Sequence, residues 1–422
     1  MAGKTDKEKK PFSMTKRRKG RLIVGKSVAI LLVGIGGYGN GYVEELLNYK
    51  GEEIFKIAGA VDPAPEKCKS IEKLKKLNVP IYHTMEEFYA EHQADLVVIS
   101  SPIQFHSEQT CLALSYGSNV LCEKPVSATV EEALRMIKAR DQAGKFVGIG
   151  YQWSFSEAIS SLKQDALTGK LGRPKSLKTI VLWPRDFAYY TRSSWAGKIR
   201  DQKGNWILDS VANNATAHFL HNMFYVIGEK TDRSAVPLEL DVELYRANQI
   251  ENYDTAAIRI KTREGADILF LATHATKERL EPSFCFEFDK ATVYYDEKDG
   301  SSGEIRAVFK DGTTKHYGDP FLNRRRKLWI CIDAVRSGTP IPCGIEAALA
   351  HTVCINGAQK AGITNYPAEL VVKGEEAIYV KGLGDVLKDC YERQLLPSEV
   401  GASWAKPASK VDLKAYLDQL SW

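Results

Sequence analysis

The 422-residue chain lacks long hydrophobic runs, paired cysteine motifs and internal repeats. Its longest apolar run, Val28 to Val33, has the length of a strand, whereas a membrane-spanning helix needs roughly 18 apolar residues. The eight cysteines show neither a C-x-x-C pair nor the Cys/His spacing of a zinc site. We therefore expect no membrane span and no bound metal, and we interpret the cysteines as reduced thiols of a cytoplasmic protein.

Positive charge is concentrated at the amino terminus. Residues 1–26 hold ten Lys or Arg and two acidic residues, net +8, which leaves the rest of this +5 chain at −3. A slightly acidic body argues against a nucleic-acid-binding surface. The basic segment has no apolar core of a secretory signal, so we expect a disordered, solvated tail; contact with RNA or anionic lipid is the alternative.

The length and the order of hydrophobic patterns predict an α/β protein of two domains. Between residues 27 and 150, apolar strands alternate with helical segments, which is typical of a doubly wound parallel sheet. From 151 to 365, runs that alternate at period two predict an α+β domain with a large, mostly antiparallel open sheet. The pattern also predicts a turn at Glu297–Gly300 and a long helix from Asn214 to Ile227, and it leaves 366–422 as a C-terminal extension.

A glycine-rich loop directly follows the first strand and matches G-x-G-x-x-G in the strand–helix context that gives the motif its meaning. The first glycine permits a tight turn, the second lets a pyrophosphate approach the backbone, and the third lets the helix pack closely on the strand. We therefore predict a dinucleotide-binding Rossmann domain. The predicted loop contacts are Gly34, Ile35, Gly36, Gly37, Tyr38 and Gly39.

Asp62 ends the second predicted strand, 23 residues beyond Gly39. A carboxylate at this place accepts hydrogen bonds from an adenosine ribose and repels a 2′-phosphate, so we expect NAD as the cofactor. Lys67 and Lys69 keep NADP as the less favoured alternative. If the glycines serve only as turn residues, Asp62 is a helix cap instead.

The fourth and fifth predicted strands end in Ser100–His106 and Cys122–Pro125, where a doubly wound sheet presents side chains to its ligand crevice. Lys124 is therefore expected to face a bound nicotinamide. A buried lysine there has a depressed pKa and can share in proton transfer. The alternative is a surface Glu-Lys pair at the end of a strand.

The glycine loop, the Ser-Pro-x-x-x-His segment, Glu123-Lys124-Pro125 and the Gly148–Gln152 strand together resemble the Gfo/Idh/MocA family, over about residues 27 to 365. The resemblance implies a second domain whose open sheet mediates dimers or tetramers. It also implies hydride transfer between a nicotinamide and a secondary hydroxyl of a sugar or cyclitol. Further cofactor contacts are expected from Ser101, Pro102, His106, Glu123, Lys124 and Gln152.

The family's Asp-x-Gly-x-His-x-x-Asp motif corresponds here to Asn214-Ala-Thr-Ala-His218-Phe-Leu-His221, so both carboxylates are replaced. The resemblance makes His218 the base that takes the hydroxyl proton, since an imidazole titrates near neutral pH. His221 follows at i+3 and is expected to face the same cleft. Either histidine could instead belong to the core. Whether Asn213 or Asn214 orients His218, or Asp209 supplies the missing charge, stays open.

A polar-aromatic stretch between residues 183 and 206 has the composition of a sugar pocket, although an interface loop could share it. The predicted substrate-binding residues are Lys124, Arg185, Asp186, Tyr190, Arg192, Trp195, Asn214, His218 and His221.

The leading hypothesis is an NAD-dependent dehydrogenase that acts on a CH–OH group of a sugar, glycoside or cyclitol. One alternative is a cofactor-retaining enzyme that cleaves glycosides without net redox change, and another is a non-catalytic nucleotide-binding sensor. We expect a small-molecule substrate, no nucleic-acid or membrane partner, and a homodimer or homotetramer.

Overall fold

The computed structural model describes residues 27–296 and 303–420. The predicted basic tail at 1–26 and the predicted turn at 297–300 lie outside the described residues. None of the helices in the described ranges is long and apolar enough to cross a membrane.

The described part of the amino-terminal domain contains a six-stranded parallel sheet in the order β3-β2-β1-β4-β5-β6, which confirms the predicted Rossmann architecture. Every residue of the central first strand is buried, as expected for a strand covered on both faces. The strand order reverses between β1 and β4, and this is where such sheets bind ligands. The strands are β1 (Val28–Val33), β2 (Phe55–Val61), β3 (Ile81–Tyr82), β4 (Leu96–Ile99), β5 (Asn119–Cys122) and β6 (Val147–Ile149).

Helices cover this sheet, and local sequence signals set their ends. Thr84 and Thr129 each begin a helix in a capping box, the second with Glu132 as its partner. Gly144 ends that second helix with φ 61°, a left-handed conformation that glycine adopts without strain. The helices are α1 (Asn40–Leu47), α2 (Ile71–Lys76), α3 (Met85–Glu91), α4 (His106–Ser115) and α5 (Val130–Ala143).

The second domain is built on a sheet with ten strands in the described residues, in the order β14-β13-β12-β11-β7-β10-β9-β8-β15, with β18 paired to β8. The pairs β7–β10 and β8–β15 are parallel and the others are antiparallel, which confirms the predicted mostly antiparallel sheet. A separate hairpin joins β16 to β17. The strands are β7 (Pro174–Leu182), β8 (Pro237–Arg246), β9 (Thr255–Thr262), β10 (Asp267–Thr273), β11 (Leu280–Phe288), β12 (Ala291–Asp296), β13 (Ile305–Phe309), β14 (Thr314–Gly318), β15 (Thr364–Asn365), β16 (Val371–Lys373), β17 (Ile378–Val380) and β18 (Ser409–Asp412).

Helices pack on the inner face of this sheet and complete the main core. The helix predicted from Asn214 begins only at Ala217, because Asn214 and Thr216 bond back to Ser210 and Val211 in a preceding turn. The helices are α6 (Glu157–Leu167), α7 (Phe187–Thr191), α8 (Ala217–Ile227), α9 (Arg326–Ser337), α10 (Ile345–Ala358), α11 (Leu383–Arg393) and α12 (Lys414–Leu417).

The C-terminal extension covers part of the outer face of the same sheet. A second apolar cluster joins side chains of β7, β8 and β10 to side chains of α11 and its flanking loops. Trp404 packs against Tyr245 at 4.8 Å and Tyr366 at 5.0 Å between ring centroids. Lys178 Nζ donates to the Tyr391 carbonyl at 2.9 Å.

Removing Leu387 from this second cluster tests whether the extension belongs to the folded core. The side chain is fully buried, so Leu387→Ala should lower the free energy of unfolding by about 2–5 kcal/mol. Leu322, at 86% exposure, supplies the control, and Leu322→Ala should change it by less than about 0.5 kcal/mol. Urea denaturation followed by circular dichroism measures both; equal stabilities would show that the extension does not support the core.

Candidate active site

The glycine loop between β1 and α1 forms an open cradle. A Cβ atom on Gly39 would lie 1.8 Å from the Gly34 carbonyl oxygen, and one on Gly34, where φ is +76°, would lie 2.8 Å from the Ser101 nitrogen. These two glycines are required by the packing of the loop. A Cβ on Gly36 would meet nothing closer than 3.8 Å, and one on Gly37 nothing within 4 Å. The space above the middle of the loop is therefore free for a pyrophosphate.

Asp62 joins the end of β2 to this loop. One carboxylate oxygen accepts the amides of Ile35 at 2.9 Å and Gly36 at 3.2 Å, and the other accepts the amide of Ala64 at 2.9 Å. The side chain therefore lies beside the cradle and also acts as a local cap. Its predicted contact with a ribose stays a prediction.

Glu123 lies in a buried cluster that ties the two domains together. Its Oε1 accepts the Tyr42 hydroxyl at 2.5 Å and also accepts Lys327 Nζ, which donates in addition to the Gly150 carbonyl at 2.9 Å. Burial raises the pKa of Glu123, but Lys327 and Tyr42 outweigh that effect and hold it below the usual value. The predicted cofactor contact of Glu123 stays untested, because in this structure its carboxylate bonds to the α1 tyrosine and the α9 lysine.

Lys124 points from the same strand end toward the second domain. Its Nζ donates to the Asn214 carbonyl at 2.7 Å and to the Asn214 side-chain oxygen at 3.0 Å. The Asn214 amide donates in turn to Asp209 at 2.7 Å, and Asp209 accepts the Gly197 amide at 2.6 Å. Burial lowers the pKa of Lys124 to about 8, although the neighbouring Glu123 carboxylate opposes the shift. The lysine thus titrates near physiological pH.

His218 is the one residue of α8 that is not buried. Its ring lies edge-on to Tyr151 with the centroids 5.8 Å apart, and its Nδ1 is buried without a hydrogen-bond partner in the described chain. Burial and then the charge of Lys124 hold the pKa of His218 well below 6.5. The ring is therefore neutral at pH 7 and can accept a proton.

Neither asparagine holds the His218 ring. Asn213 donates its side-chain amide to the Leu208 carbonyl at 3.0 Å, whereas Asn214 bonds to Asp209 and Lys124. Leu208 itself has a positive φ of 54°, an uncommon conformation for leucine, in the turn that presents Asp209. The charge of Asp209 is thus linked through Asn214 to the lysine rather than to the histidine.

His221 does not share the cleft predicted for it. Its side chain is 1% exposed, its ring stacks on Tyr151 at 3.8 Å, and its Nε2 lies 2.9 Å from the Ser154 hydroxyl. The prediction that both histidines face one cleft is wrong in this structure, because α8 is buried on nearly all sides and position 221 turns into the core.

Several residues predicted to contact the cofactor instead form hydrogen bonds within the loops around the crevice. His106 is 1% exposed, and its ring nitrogens lie 2.8 Å from the Pro125 carbonyl and 3.0 Å from the Ser101 carbonyl. The Ser101 hydroxyl donates to Gln109 at 2.5 Å. Gln152 is 8% exposed at the start of the second domain. The buried His106 therefore fixes the two strand-end loops against each other and has almost no surface for a direct contact.

The polar-aromatic stretch lies beside this crevice. Asp186 is exposed and caps α7 by accepting the Tyr189 amide at 2.7 Å. The guanidinium of Arg192 stacks on Tyr189 and lies 4.9 Å from the Trp195 ring centroid. Tyr190 and Asp209 line one small cavity. The polar-aromatic stretch therefore lies next to the hydrogen-bonded series of Lys124, Asn214 and Asp209. Among the described residues, no cluster of three or more His, Cys, Asp or Glu is placed to hold a metal.

Residues 28–151 match the family model described as "Oxidoreductase family, NAD-binding Rossmann fold". Over these residues the chain matches the Gfo/Idh/MocA family model, which confirms the resemblance seen in the sequence for the Rossmann domain. Among the family's relatives, 1,5-anhydro-D-fructose reductase from Ensifer adhaerens is 33% identical over 33% of this chain and 41% of the reductase. The chain thus spans about two fifths of the length of that relative. Myo-inositol 2-dehydrogenase from Thermotoga maritima is 23% identical over 73% of this chain and 88% of the dehydrogenase.

A solved structure of this family's fold covers both domains. The WlbA dehydrogenase from Bordetella pertussis, in complex with NADH and UDP-GlcNAcA, has a TM-score of 0.65 and 19% identity. The match covers 79% of this chain and 96% of the WlbA chain. At this identity, the likeness concerns the fold alone.

Sequence reasoning missed Lys327 and Tyr42 as parts of the site. Lys327 follows three arginines at the start of α9 and reads as part of a solvated basic run. A helical hydrophobic pattern that includes Leu328 and Cys331 gives the only sign that position 327 turns inward. Tyr42 looks like an ordinary core aromatic of α1. Their meeting with Glu123 depends on tertiary structure.

Breaking the Glu123–Lys327 pair should be costly because it leaves a buried carboxylate without its cation. Lys327→Met is expected to lower the free energy of unfolding at pH 7 by about 3–5 kcal/mol. The pKa of Glu123 is depressed in the folded state, so the stabilisation is present above its unfolded pKa and is lost as pH falls through the folded value.

Urea denaturation at pH 7 and at successively lower pH measures this effect. The gap between wild type and Lys327→Met should shrink on acidification, and the double variant Lys327→Met/Glu123→Gln should recover part of the loss at pH 7. A pH-independent gap would show that Lys327 contributes by packing alone.

Proposed function

We propose that this protein is an NAD-dependent oxidoreductase that acts on a secondary hydroxyl of a sugar, glycoside or cyclitol. The observation that carries the proposal is the convergence of Lys124 and His218 at the crevice beside the glycine cradle. The charge of Lys124 lowers the pKa of His218, so the two groups act on the same region. The names of the relatives, an anhydrofructose reductase and an inositol dehydrogenase, support this substrate class.

The residues around the cradle fit a dinucleotide. The open space above Gly36 and Gly37 would admit a pyrophosphate at the start of α1, and Asp62 stands at the strand end where it would meet a ribose. When bound, the nicotinamide supplies a hydride acceptor or donor. A carboxylate at position 62 supports NAD over NADP, since it would repel a 2′-phosphate.

The chain's own groups would handle the proton. A neutral His218 accepts the hydroxyl proton as the carbonyl forms. Lys124 uses two of its three N–H donors on Asn214, which leaves one for the substrate oxygen. Its positive charge stabilises the negative charge that develops there. The Asp209–Asn214 chain positions the lysine for this contact.

A direct assay tests the proposed reaction. Purified protein is mixed with NAD or NADP and a panel of neutral and acidic monosaccharides, glycosides and inositols, and reduced nicotinamide is followed by absorbance. We expect one substrate class to cause net reduction of the nicotinamide. The reaction should be at least tenfold more efficient with NAD than with NADP. His218→Ala should lower kcat about a hundredfold or more and leave NAD affinity nearly unchanged. The control is His316→Ala, which removes an exposed histidine.

If the protein binds NAD but oxidises none of the panel, the proposed net dehydrogenation is wrong. In that case a cofactor-retaining or sensing role would take its place. Equal loss of NAD binding in His218→Ala would assign that histidine a structural role.

The pH dependence separates the roles of the two groups. With His218 as acceptor and protonated Lys124 as donor, kcat/KM for oxidation should stay level near pH 7 and fall with an apparent pKa of about 8. The fall should vanish in Lys124→Met, which leaves only a low residual rate. A rate that instead rises through pH 8 would make Lys124 the base.

Assembly and location stay predictions. A homodimer or homotetramer is expected, with its contact on the open sheet of the second domain. The eight free cysteines are consistent with the cytoplasmic location proposed from the sequence.

A further inference from the structure

Two arginines beside the crevice lack carboxylate partners. The guanidinium carbons of Arg185 and Arg192 lie 4.7 Å and 3.7 Å from the ring centroid of the same tyrosine, Tyr189. Neither arginine forms an ion pair in the described ranges 27–296 and 303–420. Nearby basic residues differ: Lys198 pairs with a glutamate at 2.7 Å, and Arg279 also pairs with one.

Buried polar atoms around these arginines are also unpaired. Nε of Arg185, the Tyr190 hydroxyl and Nε2 of His274 are buried and have no hydrogen-bond partner within the described chain. His274 Nδ1 lies 2.8 Å from the Trp183 carbonyl, which only accepts, so Nδ1 carries the proton and Nε2 is an unused acceptor. A buried polar group is destabilising unless something bonds to it. The chain itself therefore does not satisfy all the polar groups around the arginines.

The nearby carboxylates are already occupied. Asp209 accepts from Gly197 and Asn214, and Asp254 accepts the amides of Ala247 and Asn248. The two arginines thus form no ion pair with either acid, although the charge of Arg192 acts on Asp209 from a longer distance.

Arg192 belongs to the same electrostatic site as Lys124. Burial raises the pKa of Asp209, and the charge of Arg192 opposes that shift. Burial lowers the pKa of Lys124, and Arg192 adds to this shift as a smaller cause. Tyr190, His274 and Asp209 line one cavity, which places the arginine cluster next to the lysine chain. The region therefore holds three cations, Lys124, Arg185 and Arg192. Its buried carboxylates, Glu123, Asp209 and Asp254, bond to other groups of the chain.

We propose that Arg185 and Arg192 bind a carboxylate on the substrate, so that the preferred substrate is an acidic sugar of the uronic acid type. A planar carboxylate matches the fork of a guanidinium, and a neutral sugar would leave both arginines without a counter-charge. The inference rests on the proposed dehydrogenase function, because it names the substrate class of that same site.

Equilibrium binding tests the carboxylate site without requiring turnover. Glucuronate, galacturonate and mannuronate are compared with glucose, galactose and mannose by calorimetry on the NADH-bound full-length protein. At least one uronate should bind tenfold or more tightly than its neutral parent. Arg185→Gln and Arg192→Gln should each remove most of that preference, and Arg192→Lys should restore it only in part.

Arg200→Gln is the matched control. It removes an arginine that stacks on Trp206 in the following exposed loop, and it should leave the preference unchanged. Melting temperatures of all variants are measured so that loss of folding is recognised. A second ligand, glucose 6-phosphate, separates the two kinds of anion.

The outcomes decide between the two proposals. Equal binding of uronates and neutral parents, or a preference that the arginine variants retain, overturns the carboxylate site. Tighter binding of glucose 6-phosphate than of any uronate makes the site a phosphate site and also overturns it. Arginine-dependent uronate binding without NAD reduction supports the carboxylate site and overturns the dehydrogenase function. Turnover of neutral sugars that is unchanged in the arginine variants supports the dehydrogenase function and overturns the carboxylate site.

Discussion

The buried ion pair of Glu123 and Lys327 is the interaction on which the rest of the site depends. It joins the end of β5 in the Rossmann domain to α9 of the second domain, with Tyr42 of α1 as a third member. A pair without solvent access is costly to form and costlier to break. Because Lys124 is the next residue after Glu123, the same anchor fixes the backbone from which the lysine reaches Asn214.

Because of this anchoring, opposing effects act on the pKa of Lys124. Burial and the charge of Lys327 lower the pKa, and the Glu123 carboxylate raises it. The balance near 8 lets one side chain donate hydrogen bonds while charged and still exchange a proton at modest cost. Asp209 could not by itself set the pKa of Lys124, because burial raises the pKa of Asp209 as well.

The sequence predicted those features that local pattern determines. The glycine loop, Asp62 and Lys124 each follow a strand, and the carboxyl ends of parallel strands meet at one edge, so the crevice could be located. Partners separated by long stretches of chain could not be predicted, as Lys327 shows. The prediction for His221 was wrong for a different reason. An i+3 spacing places two residues on one helix face, but it does not show how much of the helix surface is buried.

The two proposals about the cleft meet at Asn214. This residue stands where the motif of the resembled family has a carboxylate, so the group that holds Lys124 is a neutral amide. Arg185 and Arg192 add positive charge beside the same cleft, and neither forms an ion pair among the described residues. In an enzyme for neutral sugars, these cations would have no ion-pair partner on the substrate, which is unfavourable in a partly desolvated site. If the substrate itself carries a carboxylate, the neutral amide at position 214 and the unpaired arginines have one explanation.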